Sequence, residues 1–155
     1  MKFKTKVLTL SMAKEKKYKV ADESVSILNE PATEYTVVAH SNSGIPIQYL
    51  NKLSDRYDIS INDWAGFMGI STKSIQRYQQ QDNILSATQT EFVLKIEQLY
   101  KIGKEVFGTT ENFKQWLQKP AYGLGNKIPE QILNTISGIN LVINQLQRIA
   151  FGALA

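Results

Sequence analysis

The chain has no cysteine and one histidine, His40, in its 155 residues. The first absence removes disulfides, thiolate nucleophiles and cysteine-type zinc sites, and is compatible with a reducing compartment. His40 has no nucleophile or carboxylate near it in a recognisable pattern, so it reads as a surface loop residue rather than a catalytic base. The carboxylates are scattered, which leaves no assembled acid, base or nucleophile and gives a hydrolase or nuclease little support. Gly123 and Gly125 sit in a short loop, but no P-loop or dinucleotide fingerprint surrounds them, so the loop reads as a compact turn. No apolar run approaches the roughly 20 residues of a membrane span, and the basic N-terminus lacks the apolar core of a secretory signal. These gaps predict a cytoplasmic protein with no catalytic residue, cofactor or metal, and no membrane partner.

What is present suits a folded protein. Hydrophobic residues make up 43% of the chain, ordinary for one substantial core or two small ones. The net charge of +4 is unevenly spread: residues 1 to 19 carry seven lysines against Glu15, for +6, and the remainder carries −2. The folded body is therefore not basic, and any affinity for nucleic acid has to come from a local patch, from repetition of a weak patch, or from the lysine-rich tail.

Ser60 to Gln80, SINDWAGFMGISTKSIQRYQQ, organises the chain. Ser60 and Asp63 have the spacing of a capping box ahead of Trp64, Phe67 and Met68. Gly69 can take the left-handed conformation that ends a helix sharply. Ser71 then caps a second helix whose inner face carries Ile75 and Tyr78. Small Ala65 lets the two helices approach, and Ile75 plugs the second onto the first, a helix-turn-helix pattern. On this reading Ser71, Thr72, Lys73, Ser74, Gln76 and Arg77 face a DNA major groove. The plainer alternative is a helical pair in an all-α core with a solvated polar face.

On either side the pattern stays helical. Residues 1–44 read as a flexible basic arm, within which Tyr35 to Ala39 has strand propensity. Met12 is an alternative start of the chain. Pro46 is placed as the first residue of a helix through Tyr49, Leu50, Leu53 and Tyr57. Ser86 and Gln89 form a second capping box before a helix of about 20 residues with the stripe Phe92, Ile96, Leu99, Gly103 and Val106/Phe107. Gly108 marks a boundary, which divides the chain into the arm, a DNA-binding domain at 45–107 and a C-terminal domain at 108–155. Beyond it Thr110 is expected to cap a helix with Phe113, Trp116 and Leu117. Pro129 is expected to start another helix, Gly138 to interrupt it, and a final helix to run through Ile139, Val142, Ile143, Leu146 and Ile149. The end, Phe151-Gly152-Ala153-Leu154-Ala155, has no charged side chain. An apolar tail either folds back on its own core or enters a partner.

The pattern Gly103, Val106-Phe107-Gly108, Phe113, Trp116-Leu117, Leu124-Gly125, Pro129, Leu133, Thr135, Gly138, Val142, Leu146, Ile149 and Gly152 resembles the C-terminal half of Xre/MbcA/ParS-type antitoxins. The helix-turn-helix lies upstream in that family's order, so the likeness spans roughly Ile45 to Ala155. The resemblance implies an all-α antitoxin that binds and silences a toxin and represses their shared promoter. It also implies a RES-domain, NAD-consuming toxin whose active-site cleft the antitoxin's C-terminal end covers. Leu146, Arg148, Ile149, Phe151, Gly152 and Leu154 are then the expected toxin contacts, with plain core as the alternative for Leu146 and Ile149.

Residues 45–107 balance seven basic against seven acidic groups, so operator binding is expected to need a homodimer or a toxin-bridged hetero-oligomer. The competing function is a helix-turn-helix transcription repressor whose C-terminal half only dimerises or senses a ligand.

Overall fold

A computed structural model describes residues 34–152. Seven α-helices account for most of them: α1 Glu34–Ser43, α2 Tyr49–Tyr57, α3 Ile61–Met68, α4 Thr72–Gln80, α5 Ala87–Phe107, α6 Thr110–Leu117 and α7 Ile136–Ala150. Two 3-10 turns, Tyr122–Leu124 and Pro129–Ile132, join α6 to α7. No named strand occurs among the described residues, so the architecture is all-α.

The chain is built around α5. Its start is a full capping box, Ser86 Oγ accepting from the Gln89 N–H while the Gln89 side chain accepts from the Ser86 N–H. Its 21 residues exceed the usual three turns because both halves are paid attention by neighbours: α1, α2, α6 and α7 all pack on it. Val93, Ile96 and Leu99 are wholly buried. The expected stripe places Phe92 in this core, but Phe92 is half-buried and Val93 fills the position, because a helix packed from several sides buries a band wider than one stripe.

The strand expected at Tyr35 to Ala39 is replaced by α1. This helix lies against α5, and a tertiary contact of this kind outweighs the β-propensity of the segment. Gly44, at φ +72°, stops α1, and its N–H donates to the His40 carbonyl. Residues 34–43 therefore belong to the folded body rather than to a flexible arm. The earlier part of the proposed arm, with its lysines, lies outside the described residues.

Pro46 does not open α2. Pro46 instead forms an isolated antiparallel bridge with Ile84, with the Ile47 N–H donating to the Asn83 carbonyl and the Leu85 N–H to the Ile45 carbonyl, at 2.9 and 2.8 Å. This clasp closes the helix-turn-helix unit at its base. The helix itself begins at Tyr49.

In the C-terminal half, Thr109 rather than Thr110 caps α6, its hydroxyl accepting from the Asn112 N–H at 3.1 Å. Gly103 lets α6 approach α5, because a Cβ there would collide with the Phe113 ring. Aromatic rings continue from that contact: Tyr57 to Tyr100 at 5.7 Å, Tyr100 edge-on to Phe113 at 5.3 Å, and Phe113 to Trp116 at 6.1 Å. This chain of rings joins α2, α5 and α6, and each such pair adds about 0.5–1.5 kcal/mol beyond its buried area.

Gly138 was expected to break the last helix, yet it lies in the first turn of α7. Its N–H donates to the Thr135 cap at 3.0 Å, and a Cβ would strike the Ile132 carbonyl. Glycine is there for close approach, not to end a helix. Gly138→Ala is accordingly expected to cost roughly 2–3 kcal/mol, since backbone must move to admit the methyl. That corresponds to a fall of about 10 °C in Tm, measured by thermal denaturation.

Candidate functional site

Helix α4, the second helix of the pair, is positioned from both ends. Ser60 Oγ accepts from the Asp63 N–H, and the Asp63 carboxylate accepts from the Ser60 N–H, completing the capping box of α3. Trp64 and Phe67 are buried and meet edge to face, and the Trp64 indole N–H donates to Ser54 Oγ at 3.0 Å. Gly69 turns the chain at φ +63°, its N–H returning to the Ala65 carbonyl. Ser71 caps α4 through the Ser74 N–H, and Ile75, at 1% exposure, is the only residue of α4 fully inside the core. Gln79 donates to Asn51 on α2 at 2.8 Å and ties the far end. Gln48 and Asp82 are hydrogen-bonded across the loop that follows.

This leaves one polar face. Lys73, Gln76 and Arg77 are exposed, and Thr72 and Ser74 are half-exposed beside them. Ser71 is exposed as well, but its hydroxyl is engaged in the cap and lies 2.9 Å from that of Ser74. The Arg77 guanidinium sits 5.6 Å from the Tyr78 ring centroid, a contact that holds a flexible cation over the surface. The side-chain types are those that meet base edges and phosphates.

The six expected C-terminal contacts separate. Leu146 is 0% exposed and packs inside the molecule, so it is corrected from interface to core: it faces α5 with Ile139, Val142 and Ile143. Arg148 is exposed, Ile149 half-buried, Phe151 88% exposed, and Gly152 exposed at φ +72°. Leu154 lies outside the described residues. The Phe151 N–H donates to the Gln147 carbonyl at 3.0 Å, so its backbone continues the helical turn and holds the ring at the tip of α7.

Two polar clusters tie distant helices together, the first between α2 and the C-terminal half and the second within the helix-turn-helix unit. Lys114 on α6 donates to the Asp58 carbonyl and carboxylate at 2.6 and 2.8 Å, which holds the Asp58 carboxyl below its ordinary pKa. It also satisfies the end of α2, where Asp58 takes a left-handed φ of 52°. On α5, Glu97 accepts from the Tyr49 hydroxyl at 2.8 Å and lies 3.7 Å from Arg56. Burial raises the Glu97 pKa, and this exceeds the lowering by Tyr49 and Arg56; burial also raises the hydroxyl of Tyr49. Sequence patterning missed Glu97, because it sits within the apolar stripe of α5 without a spacing signal of its own.

The fold thus defines a helix-turn-helix protein with an appended helical domain that shares its longest helix. Residues 36–96 match the antitoxin Xre-like helix-turn-helix domain, and residues 103–152 match the antitoxin Xre/MbcA/ParS C-terminal toxin-binding domain. A protein named Antitoxin Xre, from Photorhabdus laumondii subsp. laumondii, is 25% identical over 115 residues, covering 74% of this chain and 78% of the relative. In domain order the chain is thus similar to antitoxins of the Xre/MbcA/ParS type. No described helix is long and apolar enough to cross a membrane.

The raised pKa of Glu97 has a definite sign for stability. Above its ordinary value of 4.5 the folded chain holds this proton more tightly than the unfolded chain does, so stability contributed by the neutral acid is lost as pH rises through the raised pKa. Glu97→Gln keeps an acceptor for Tyr49 and removes the buried charge. The Tm of this variant, relative to the parent, is expected to increase as pH is raised from about 4 to about 7. Thermal denaturation across that range measures it; a constant difference overturns it.

Proposed function

We propose that this chain is the antitoxin and autorepressor of a bacterial two-gene system, acting in the cytoplasm. Residues 108–155 capture the toxin, and residues 45–107 read the operator of their shared promoter. The observation that carries the capture is the end of α7, where Phe151 is 88% exposed three residues, about one helical turn, after exposed Arg148. A bare aromatic ring beside a guanidinium is the kind of pair that anchors protein interfaces. Arg148, Ile149, Phe151, Gly152 and Leu154 form the inhibitory end in this reading. It enters the toxin's active-site cleft and blocks it sterically, with Arg148 pairing with an acidic or carbonyl-lined surface. The resemblance to antitoxins commonly paired with RES-domain proteins supports a RES-domain, NAD-consuming toxin as the target.

For DNA, the proposed contacts are Ser71, Thr72, Lys73, Ser74, Gln76 and Arg77. Lys73 and Arg77 are the two cations of α4, and two cations hold an operator weakly. Binding therefore relies on a homodimer, or on a toxin-bridged assembly that sets two reading helices on successive major-groove faces.

Arg77→Ala is expected to weaken operator binding at least fivefold, about 1 kcal/mol, while leaving toxin capture intact. Loss of both activities together contradicts the separation of roles. Deleting Phe151 to Ala155 is expected to release toxicity in cells that co-express the product of the neighbouring gene, with the fold unchanged by circular dichroism. Suppression that persists after the deletion counts against the blocking mechanism.

A further inference from the structure

The proposed inhibitory end does not finish at the tip of α7. At about 100° per residue, Ser137, Leu141, Asn144, Arg148 and Phe151 fall within an arc of roughly 80° on one side of the helix. All five are exposed. Leu141, in the middle of that row, leaves 55% of its surface bare, although a helix of this length could have carried a polar residue there without loss to the core.

At its other end the row runs into a groove of about 490 Å³, which Ser137 and Leu141 line together with Leu124, Lys127 and Ile132. The walls of this groove are held by close contacts. Gly123 rests on the buried Gln145 side chain, and Gly138 rests on the Ile132 carbonyl; a Cβ at either position would collide. The shape is thus set by backbone before any partner arrives.

Charge gives the row a direction of preference. Between residues 121 and 155 the charged side chains are Lys127, Glu130 and Arg148. Lys127 lines the groove and Arg148 stands in the row, whereas Glu130 lines the adjoining depression, which shares Gln131 and Asn134 with the groove and opens toward α3. The surface from groove to tip is therefore apolar at Leu141 and Phe151 and cationic at Lys127 and Arg148, with no carboxylate in it.

We propose that the toxin is gripped along this whole face, with an apolar side chain of the toxin seated in the groove against Leu141 and an acidic group beside it paired with Lys127. The inference rests on the proposed function, because the partner is taken to be the toxin. Two features favour the toxin as occupant: the groove lies wholly within residues 103–152, matched to the toxin-binding domain, and it is continuous with the proposed inhibitory end. Contact spread over both places lets the groove supply affinity while the tip supplies blocking.

The test is equilibrium binding of the full-length chain to the purified product of the neighbouring gene. Leu141→Asp is expected to weaken binding at least tenfold. Leu141→Met should keep it, and Lys127→Glu should weaken it in a salt-dependent way. Leu141 is mostly exposed, so its Tm and its operator binding should stay as in the parent. Leu141→Asp binding as tightly as the parent overturns the extended surface; if deletion of Phe151 to Ala155 still releases toxicity, the proposed function survives that result. Loss of self-association in Leu141→Asp with toxin affinity unchanged assigns the face to a second copy of the chain and also overturns it. Failure of the unaltered chain to bind that product removes the proposed function, and this surface with it.

Discussion

One helix carries both halves of the molecule. The start of α5 closes the helix-turn-helix unit, where Thr90 Oγ1 accepts from the Ile45 N–H at 3.2 Å and Val93 and Ile96 complete its core. Its last turns, past Gly103, receive α6, and α7 packs along it as well. An α-helix of 21 residues is a rod about 30 Å long with no hinge unless glycine, proline or an inserted group breaks it. Gly103, the one glycine inside α5, is buried under Phe113 and is not free to bend. Pro31–Ala155 accordingly forms one compact unit rather than two beads on a linker.

The side-chain links that cross between the halves reinforce the rod at several levels. Tyr57, Tyr100, Phe113 and Trp116 form a run of ring contacts from α2 through α5 to α6. Lys114 reaches back to the end of α2, while within the helix-turn-helix unit Tyr49 and Arg56 meet on Glu97 and fasten α2 to the rod. An exposed pair such as Lys114 with Asp58 contributes little by itself. Here it also satisfies a carbonyl at a helix end, which water would otherwise have to reach. The consequence is geometric: a surface on α7 and the face of α4 are held at a constant separation and angle.

The legible parts of the fold were those fixed by local chemistry. Ser60 with Asp63, Ser71, Ser86 with Gln89, and Gly69 announce their helix ends because each satisfies backbone groups within three residues of itself, and Ile75 stands alone as an apolar residue in a polar helix. Features decided by distant partners were not legible. The segment EYTVVAHSNS has no apolar periodicity, so only packing on α5 makes it a helix. Gly138 looks like a breaker until the Ile132 carbonyl is placed beside it. In α7 the stripe Ile139, Val142, Ile143 and Leu146 was legible as a helix face, but whether that face meets its own core or a partner depends on α5, and burial of Leu146 places it in the core.

Electrostatics then bear on how such a body would read DNA in the proposed function. The helix-turn-helix region has no net charge, and several of its ions are already committed, Arg56 to Glu97 and Asp58 to Lys114. What α4 offers a duplex is Lys73, Arg77 and a set of neutral hydrogen-bonding side chains. With about 0.9 counterions released per phosphate neutralised, two cations give a shallow salt dependence and little non-specific affinity. In the proposed function, discrimination among sequences would survive, because it comes from base-edge contacts rather than from phosphates. A weak but selective reading head gains most from duplication: joining two copies at a spacing set by rigid bodies makes the second engagement intramolecular. A body without an internal hinge suits the proposed toxin-bridged assembly, since a partner that joined two copies at α7 would also set the distance between their α4 helices.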